Sequence, residues 1–353
     1  MEMKDLLGRM GEQNASDLLL TVGLPPMLRI AGQLVVTSVP PLDAAEVKRL
    51  CYALLTEEQI KRFEKERELD FSSELKDSRF RINYHFSRDA VGGAIRRIPR
   101  VVPTREELRL PKVIEYFCNL PRGLVLVTGP TGCGKTTTQA TMIDTINTSR
   151  AAHIITVEDP IEYVHSHKKS IIEQREVGTD TLSFPEALKR VLRMNPDVIL
   201  VGEMRDLETI QTALTAAETG HLVISTLHTP DAPQAVDRIV DVFPPYQQSQ
   251  IRIQLSMTLQ GVIAQQLLTR KDGKGVVPAI EILVATQAVR NIVRKANTPE
   301  LYTVIEMGAQ HGMQKMDASL KELYDSNLIS LQDALNKASN REQLEKVLKP
   351  SVM

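Results

Sequence analysis

The stretch GPTGCGKT, Gly129 to Thr136, has the spacing G-x-x-x-x-G-K-[ST] of a P-loop. Each residue type there has a task in phosphate chemistry. Glycines let backbone N–H groups approach phosphate oxygens, a lysine neutralises charge on the β- and γ-phosphates, and a threonine hydroxyl completes a Mg²⁺ shell. Gly129, Pro130, Thr131, Gly132, Cys133, Gly134, Lys135, Thr136 and Thr137 are therefore the expected nucleotide contacts, and Thr136 the expected Mg²⁺ ligand. An apolar run precedes the motif and a helix-like segment follows it, which separates a P-loop from a chance glycine turn. The chemistry this implies is hydrolysis of a nucleoside triphosphate.

Carboxylates supply the next element. In DVILVGEMRD, Glu203 stands after Gly202 at the carboxyl end of an apolar run. Ligands of α/β sheets gather at that edge, so a base or water-orienting group there contributes roughly 10²–10⁴-fold. ITVEDPIEYVH brings Glu158, Asp159 and Glu162 close together after another apolar run. Like charges at this spacing repel, and carboxylates are rarely buried without partners. We expect them at the same edge, gathered by Mg²⁺·ATP, with Glu158 and Glu203 as metal ligands beside Thr136; the alternative is a solvated acidic loop.

HLVISTLHT places His221 and His228 at either end of one strand, and His228 is the one placed to sense a γ-phosphate or to hydrogen-bond a catalytic carboxylate. His165 and His167 in VHSHKK lack a third ligand nearby and read as a solvated loop. Arg79, Arg81, Arg96, Arg97 and Arg100 crowd one region. Three readings stand: a nucleic-acid face, which lacks aromatic stacking platforms; arginines reaching phosphates across a domain or subunit boundary; and ordinary surface charge.

The bulk composition constrains what can hold these residues in place. A chain of 353 residues exceeds the usual size of one core, so two domains are expected. A net charge of −1 gives no global attraction to nucleic acid or anionic membrane. No secretory signal or bilayer-spanning run is evident, and Cys51, Cys118 and Cys133 are scattered without ligand spacing. A cytoplasmic protein is expected.

Residues 1–100 read as a small α+β domain, with strands in SDLLLTVG, PPMLRIAGQLVV and DSRFRINYHFSRDAVGGAIRRIPR and a helix or helix pair between them. Residues 101–111 read as a linker. From 112 to 353 strands alternate with helices: LVLVTG, HIITVED, SIIEQREV, DVILVGE and HLVISTLH suit a mainly parallel sheet. Ser183 and Glu186 form a capping-box pattern, and Gly220 stands where a helix should end. The last third reads as helical, above all from about 285 onward, with a hairpin-like interruption at RKDGKGVVPAIEILVA.

Taken together, GPTGCGKTTT, TVEDPIEYVH, RMNPDVILVGEMRDLETI and TAAETGHLVISTLHT resemble the Walker A, Asp, Walker B and His boxes of the secretion-type ATPases of type IV pili and type II secretion. SDLLLTVGLPPMLRIAGQL is similar to the amino-terminal domain of that family. AVRNIVRK, Ala288 to Lys295, is similar to the AIRNLIR motif of its retraction branch, although Ala288, Val289, Ile292 and Val293 would line any amphipathic helix. The length and the absence of a tetracysteine zinc element also resemble that branch. The resemblance implies an α/β protein in which a PAS-like α+β domain precedes a RecA-like P-loop ATPase domain with a helical carboxy-terminal region.

It further implies a homohexamer using ATP and Mg²⁺ and driving pilus retraction. Its partners would be an inner-membrane pilus platform protein and other pilus ATPases, not nucleic acid, at the cytoplasmic face of the inner membrane. Assembly or secretion work, or an accessory retraction paralogue, is the alternative. By motif matching, Glu162 is the implied general base, Glu203 the Walker B glutamate and His228 the residue beside the γ-phosphate. Arg81 in RFRIN and Arg96 in AIRRIP are the implied amino-domain arginines that engage nucleotide. Leu19 departs from the pattern, standing where many relatives have histidine.

Overall fold

A computed structural model describes residues 1–30, 33–75, 78–98 and 101–348. The chain forms two compact units, Met1–Val101 and Val102–Met353. Among the described residues no helix is long and apolar enough to cross a membrane.

The first unit contains α1 (Met3–Glu12), β1 (Asp17–Leu20), β2 (Met27–Ile30), β3 (Gln33–Val36), α2 (Ala44–Tyr52), α3 (Glu57–Glu66), β4 (Glu68–Leu75), β5 (Ser78–Ser87) and β6 (Ala90–Ile98). The helical stretch is a pair, because Asp43 with Glu46 and Thr56 with Gln59 each form a capping box that starts a separate helix. Arg67, with a φ of 68°, ends α3 and leads into β4, a strand the charged sequence had concealed. The sheet runs β3-β2-β1-β6-β5-β4, antiparallel throughout. Strand alternation buries Leu18, Leu20, Phe80, Ile82, Tyr84 and Ile95 in one core with Leu6, Met10, Leu50 and Phe63 of the helices. Asp17, Asp70, Arg81, Asn83 and Arg96 line an open pocket of about 320 Å³ in this unit.

The second unit contains α4 (Val113–Cys118), β7 (Gly123–Thr128), α5 (Lys135–Ser149), β8 (His153–Glu158), β9 (Ile171–Glu176), α6 (Phe184–Val191), β10 (Val198–Val201), α7 (Leu207–Glu218), β11 (Leu222–Leu227), α8 (Ala232–Asp241) and α9 (Pro245–Thr258). There follow β12 (Leu259–Thr269), β13 (Val276–Val284), α10 (Gln287–Arg294), α11 (Glu300–Met307), α12 (Met316–Asp325), α13 (Leu331–Lys337) and α14 (Arg341–Leu348). Every residue of β7, β10 and β11 is buried, as expected for strands covered on both faces.

The sheet order is β13-β12-β7-β11-β10-β8-β9. All neighbours are parallel except the β12–β13 hairpin. That hairpin corrects an expectation. It does not interrupt a helical third but extends the central sheet, with β12 pairing directly with the P-loop strand β7. Gly261 of β12 packs where a Cβ would stand 2.2 Å from the Phe117 ring, so the close approach requires glycine.

The segment expected as a linker is also packed. Leu110 is buried, Arg105 pairs with Glu115 at 2.7 Å, and the Pro103 carbonyl accepts the Thr141 hydroxyl at 2.8 Å. In α10, Val289, Ile292 and Val293 face the core but Ala288 is exposed, so the expected apolar face is one residue narrower. Arg290 binds the Ser256 and Met257 carbonyls at 2.8 and 2.9 Å, tying α10 to the last turn of α9.

Candidate active site

β7 ends between β11 and β12, and the chain turns through residues 129–134 into α5. Gly129, Gly132 and Gly134 have φ values of 141°, 77° and 88°. Gly129 admits no other residue, because a Cβ there would lie 2.3 Å from the Gln265 carbonyl oxygen and 2.7 Å from Cys133 Sγ. Among the described residues, the N–H groups of Gly132, Gly134 and Thr136 donate to no protein group. Helix α5 starts with neither a side-chain cap nor an acidic residue in its first turn, whereas Ser183, Asp206 and Asp231 cap α6, α7 and α8. Uncapped N–H groups at the positive end of a helix dipole suit an anion.

Lys135 is buried, and its Nζ donates to the Gly129 and Pro130 carbonyls at 2.9 and 3.2 Å. Burial draws its pKa below the ordinary lysine value, while Cys133 and Glu203 act in the opposite sense. Gln265 braces the loop from β12, donating from Nε2 to the Cys133 carbonyl at 2.6 Å and accepting the Thr138 hydroxyl at 2.9 Å. Sequence reasoning missed Gln265. Its signal was a glutamine pair inside the apolar run VIAQQLL, polar residues that a buried strand carries only with partners.

Parallel pairing brings the next two groups to the same edge, because Val201 of β10 is in register with Ser225 of β11. Glu203 follows β10, and His228 follows β11. Glu203 Oε2 pairs with Arg205 Nη2 at 2.8 Å and lies 3.7 Å from His228 Nε2. Burial, then the Lys135 charge, lowers the His228 pKa against the pull of Glu203, so the ring is neutral at pH 7. Lys135, Glu203 and His228 thus form one electrostatic group, and Arg205 is a member that the sequence reading had not singled out.

The three carboxylates of the acidic stretch separate into different environments. Glu158, at the end of β8, is buried, and its Oε1 accepts the Thr156 hydroxyl at 2.7 Å and Gln174 Nε2 at 3.1 Å. Asp159 is exposed and Glu162 half-buried. The protein donors to Glu158 are both neutral. Thr136, Gln139, Glu158 and Tyr163 line a shared cavity of about 10 Å³. The structure therefore brings Glu158 to Thr136, and Glu203 to Lys135 and His228.

Among the described residues no group of three or more His, Cys, Asp or Glu is arranged to hold a metal alone. This donor set fits a Mg²⁺ that arrives with a nucleotide, since such ions take most of their shell from phosphate and water and little from protein. The Thr136 hydroxyl, with Glu158 across the cavity, offers oxygens of the right kind.

Burial pushes the Glu158 pKa up to about 7. With an ordinary value of 4.5, the folded protein binds more protons than the unfolded chain between the two. This stabilisation is complete below pH 4.5 and is lost as pH rises through 7, an effect of about 3 kcal/mol. Without nucleotide and Mg²⁺, Glu158→Gln should melt a few degrees above the wild type at pH 8 and together with it at pH 5. Equal melting temperatures at both pH values would show that Glu158 stays ionised in the fold.

The other expected residues are placed as follows. Arg81 and Arg96 belong to the first unit, where Arg96 Nε pairs with Asp17 at 2.9 Å. Arg79 pairs with Glu74 at 3.5 Å, and Arg97 binds Asn14 at 2.7 Å; Arg100 lies outside the described residues. His221 lies at the opposite end of β11 and contacts the Ala216 carbonyl through Nδ1 at 2.9 Å. His165 is held neutral by burial, with a pKa near 4, and His167 Nδ1 accepts the Ile172 N–H at 3.1 Å.

Residues 108–347 match the family model described as "Type II/IV secretion system protein". The chain is 48% identical to the type IV pilus retraction ATPase PilT of Pseudomonas aeruginosa, over 96% of this chain and 98% of the relative. It is 47% identical to a twitching motility protein of Neisseria gonorrhoeae, over 90% of this chain and 86% of the relative. Among solved structures it resembles a crystal structure of the pilus retraction motor PilT with bound ADP, with a TM-score of 0.92 and 45% identity, covering 98% of this chain and 99% of that one.

Proposed function

Because the chain belongs to the type II/IV secretion system protein family, we propose that it is an ATPase motor whose hydrolysis of ATP drives retraction of a type IV pilus. The observation that carries this reading is the P-loop lysine sharing one sheet edge with Glu203 and His228, in a chain alike over nearly its whole length to a pilus retraction ATPase. It works as a homohexamer, docked on a platform protein at the cytoplasmic face of the inner membrane.

In this reading the P-loop N–H groups and Lys135 hold the β- and γ-phosphates, and Thr136, Glu158 and Glu203 would hold the Mg²⁺ that accompanies them. Bound Mg²⁺ supplies charge neutralisation at the phosphates. Glu162 takes a proton from the attacking water as its oxygen bonds to the γ-phosphorus and the bond to the β,γ-bridging oxygen breaks, giving ADP and phosphate. Glu203 orients that water. Neutral His228 hydrogen-bonds beside the γ-phosphate, and Arg81 and Arg96 are the further positive charges that engage the nucleotide.

The test is to image labelled pili in living cells of the source organism with and without this protein. Fibres that extend normally but no longer retract are the expected result. Loss of fibres altogether would assign the motor to assembly instead, and unchanged dynamics would exclude it from this machine.

A further inference from the structure

Glu162 sits in residues 159–170, a stretch with neither helix nor strand, so its backbone must be held from outside. The groups that hold the part around Glu162 come mainly from β9. Gln174 and Glu176 alternate with Arg175 and share the face of this strand that buries Ile172. Glu176 Oε2 accepts the Ile161 N–H at 3.1 Å. Gln174 makes three hydrogen bonds with one amide. Its Nε2 donates to the Tyr163 carbonyl at 2.8 Å and to Glu158 Oε1 at 3.1 Å, and its Oε1 accepts the His165 N–H at 2.8 Å.

Backbone groups on both sides of Glu162 are thereby tied to one strand. From the other direction, the Tyr163 hydroxyl lies 3.1 Å from Thr137 Oγ1 in the first turn of α5. Around Glu162, from Ile161 to His165, the chain is thus fastened to β9 at three points and through Tyr163 to the first turn of the P-loop helix. Residues 166–170 are tied to Asn147 and Asp144 further along that helix. Only a primary amide offers donors and an acceptor together at the end of a neutral side chain. A carboxylate at 174 would lose both donor bonds and face Glu158; a leucine would lose all three.

We propose that Gln174 is a positioning residue for the proposed base: it fixes the backbone around Glu162, and so the direction of the Glu162 carboxylate, without itself taking part in proton transfer. The proposal rests on the reading of Glu162 as general base. Misplacing a reacting group by about 1 Å can cost roughly 10²-fold in rate while substrate affinity stays the same.

The test uses the full chain with Gln174→Leu and Gln174→Glu, each in the wild-type and the Glu162→Gln background. It measures kcat and KM for ATP and the Kd of a fluorescent ATP analogue. Both substitutions should lower kcat by roughly 10–10²-fold, with KM and Kd unchanged. In the Glu162→Gln background they should change kcat by less than about twofold, because residues acting as a unit are not additive. Loss by the same factor in both backgrounds would make Gln174 a general structural residue and overturn the proposal. So would wild-type kcat in both variants while Glu162→Gln is inactive. Full turnover by Glu162→Gln overturns the base assignment itself, a separate failure.

Discussion

Arg96→Ala should lower kcat for ATP hydrolysis by roughly 10³–10⁵ if the arginine serves the nucleotide. Its effect on stability should be small. In the first unit the Arg96 side chain is 68% exposed and its ion pair is with Asp17, at 2.9 Å. An exposed pair of this kind contributes roughly 0–1 kcal/mol, so the melting temperature should fall by only a few degrees. The sheet explains why the residue looks poised for more. Arg81 and Arg96 are direct register partners on β5 and β6, Arg96 is also in register with Asp17, and Asp17 with Arg29. Like charges placed opposite each other on a sheet are destabilising, and Asp17 and Asp70 line the same pocket as the two arginines. A phosphate accepted by Arg81 and Arg96 together would add to that compensation. Arg96→Lys should not restore the rate, because a lysine lacks the planar fork that grips two oxygens. An Arg96→Ala enzyme working within threefold of the wild type would reduce Arg96 to a surface partner of Asp17.

What the amino-acid sequence disclosed, and what it hid, follows the range of the interactions involved. The P-loop was legible because its chemistry is local: glycines at positive φ, then a lysine, then a helix start. The buried strands were legible as short apolar runs, and Ser183 was legible as a cap because the N–H it accepts lies three residues away. β12 was missed because Gln265 and Gln266 break its apolar run, and the partners of Gln265, in the P-loop and the first turn of α5, are more than a hundred positions distant. The different environments within the acidic stretch were hidden for the same reason. Spacing alone grouped Glu158, Asp159 and Glu162, whereas Gln174 and Glu176 on β9 decide which groups are buried and where the loop runs. The Arg81–Arg96 pair needed the β5–β6 register, which depends on the whole sheet.

Glu203→Gln should reduce kcat by roughly 10²–10⁴ while leaving ATP bound as well as before. Glutamine keeps the shape and a carbonyl oxygen, so Arg205 and His228 retain an acceptor; what disappears is the negative charge. That charge acts on three neighbours. It supports the ammonium of Lys135, it opposes the lowering of the His228 pKa, and it pairs with Arg205 at 2.8 Å. Its loss leaves a site more positive overall, which does not weaken binding of the anionic nucleotide, while the attacking water loses the charged acceptor that orients it. Binding and turnover should therefore move apart, a separation that unfolding or a distorted P-loop would not produce. The measurement is single-turnover hydrolysis beside the Kd of the same ATP analogue, run in parallel on Glu162→Gln. Two slow enzymes with intact binding would give the carboxylates separate and necessary duties, one taking the proton and the other aiming the water. If Glu203→Gln hydrolysed ATP at the wild-type rate, the negative charge of Glu203 would be dispensable, and its part beside Arg205 and His228 would be that of a neutral hydrogen-bond acceptor.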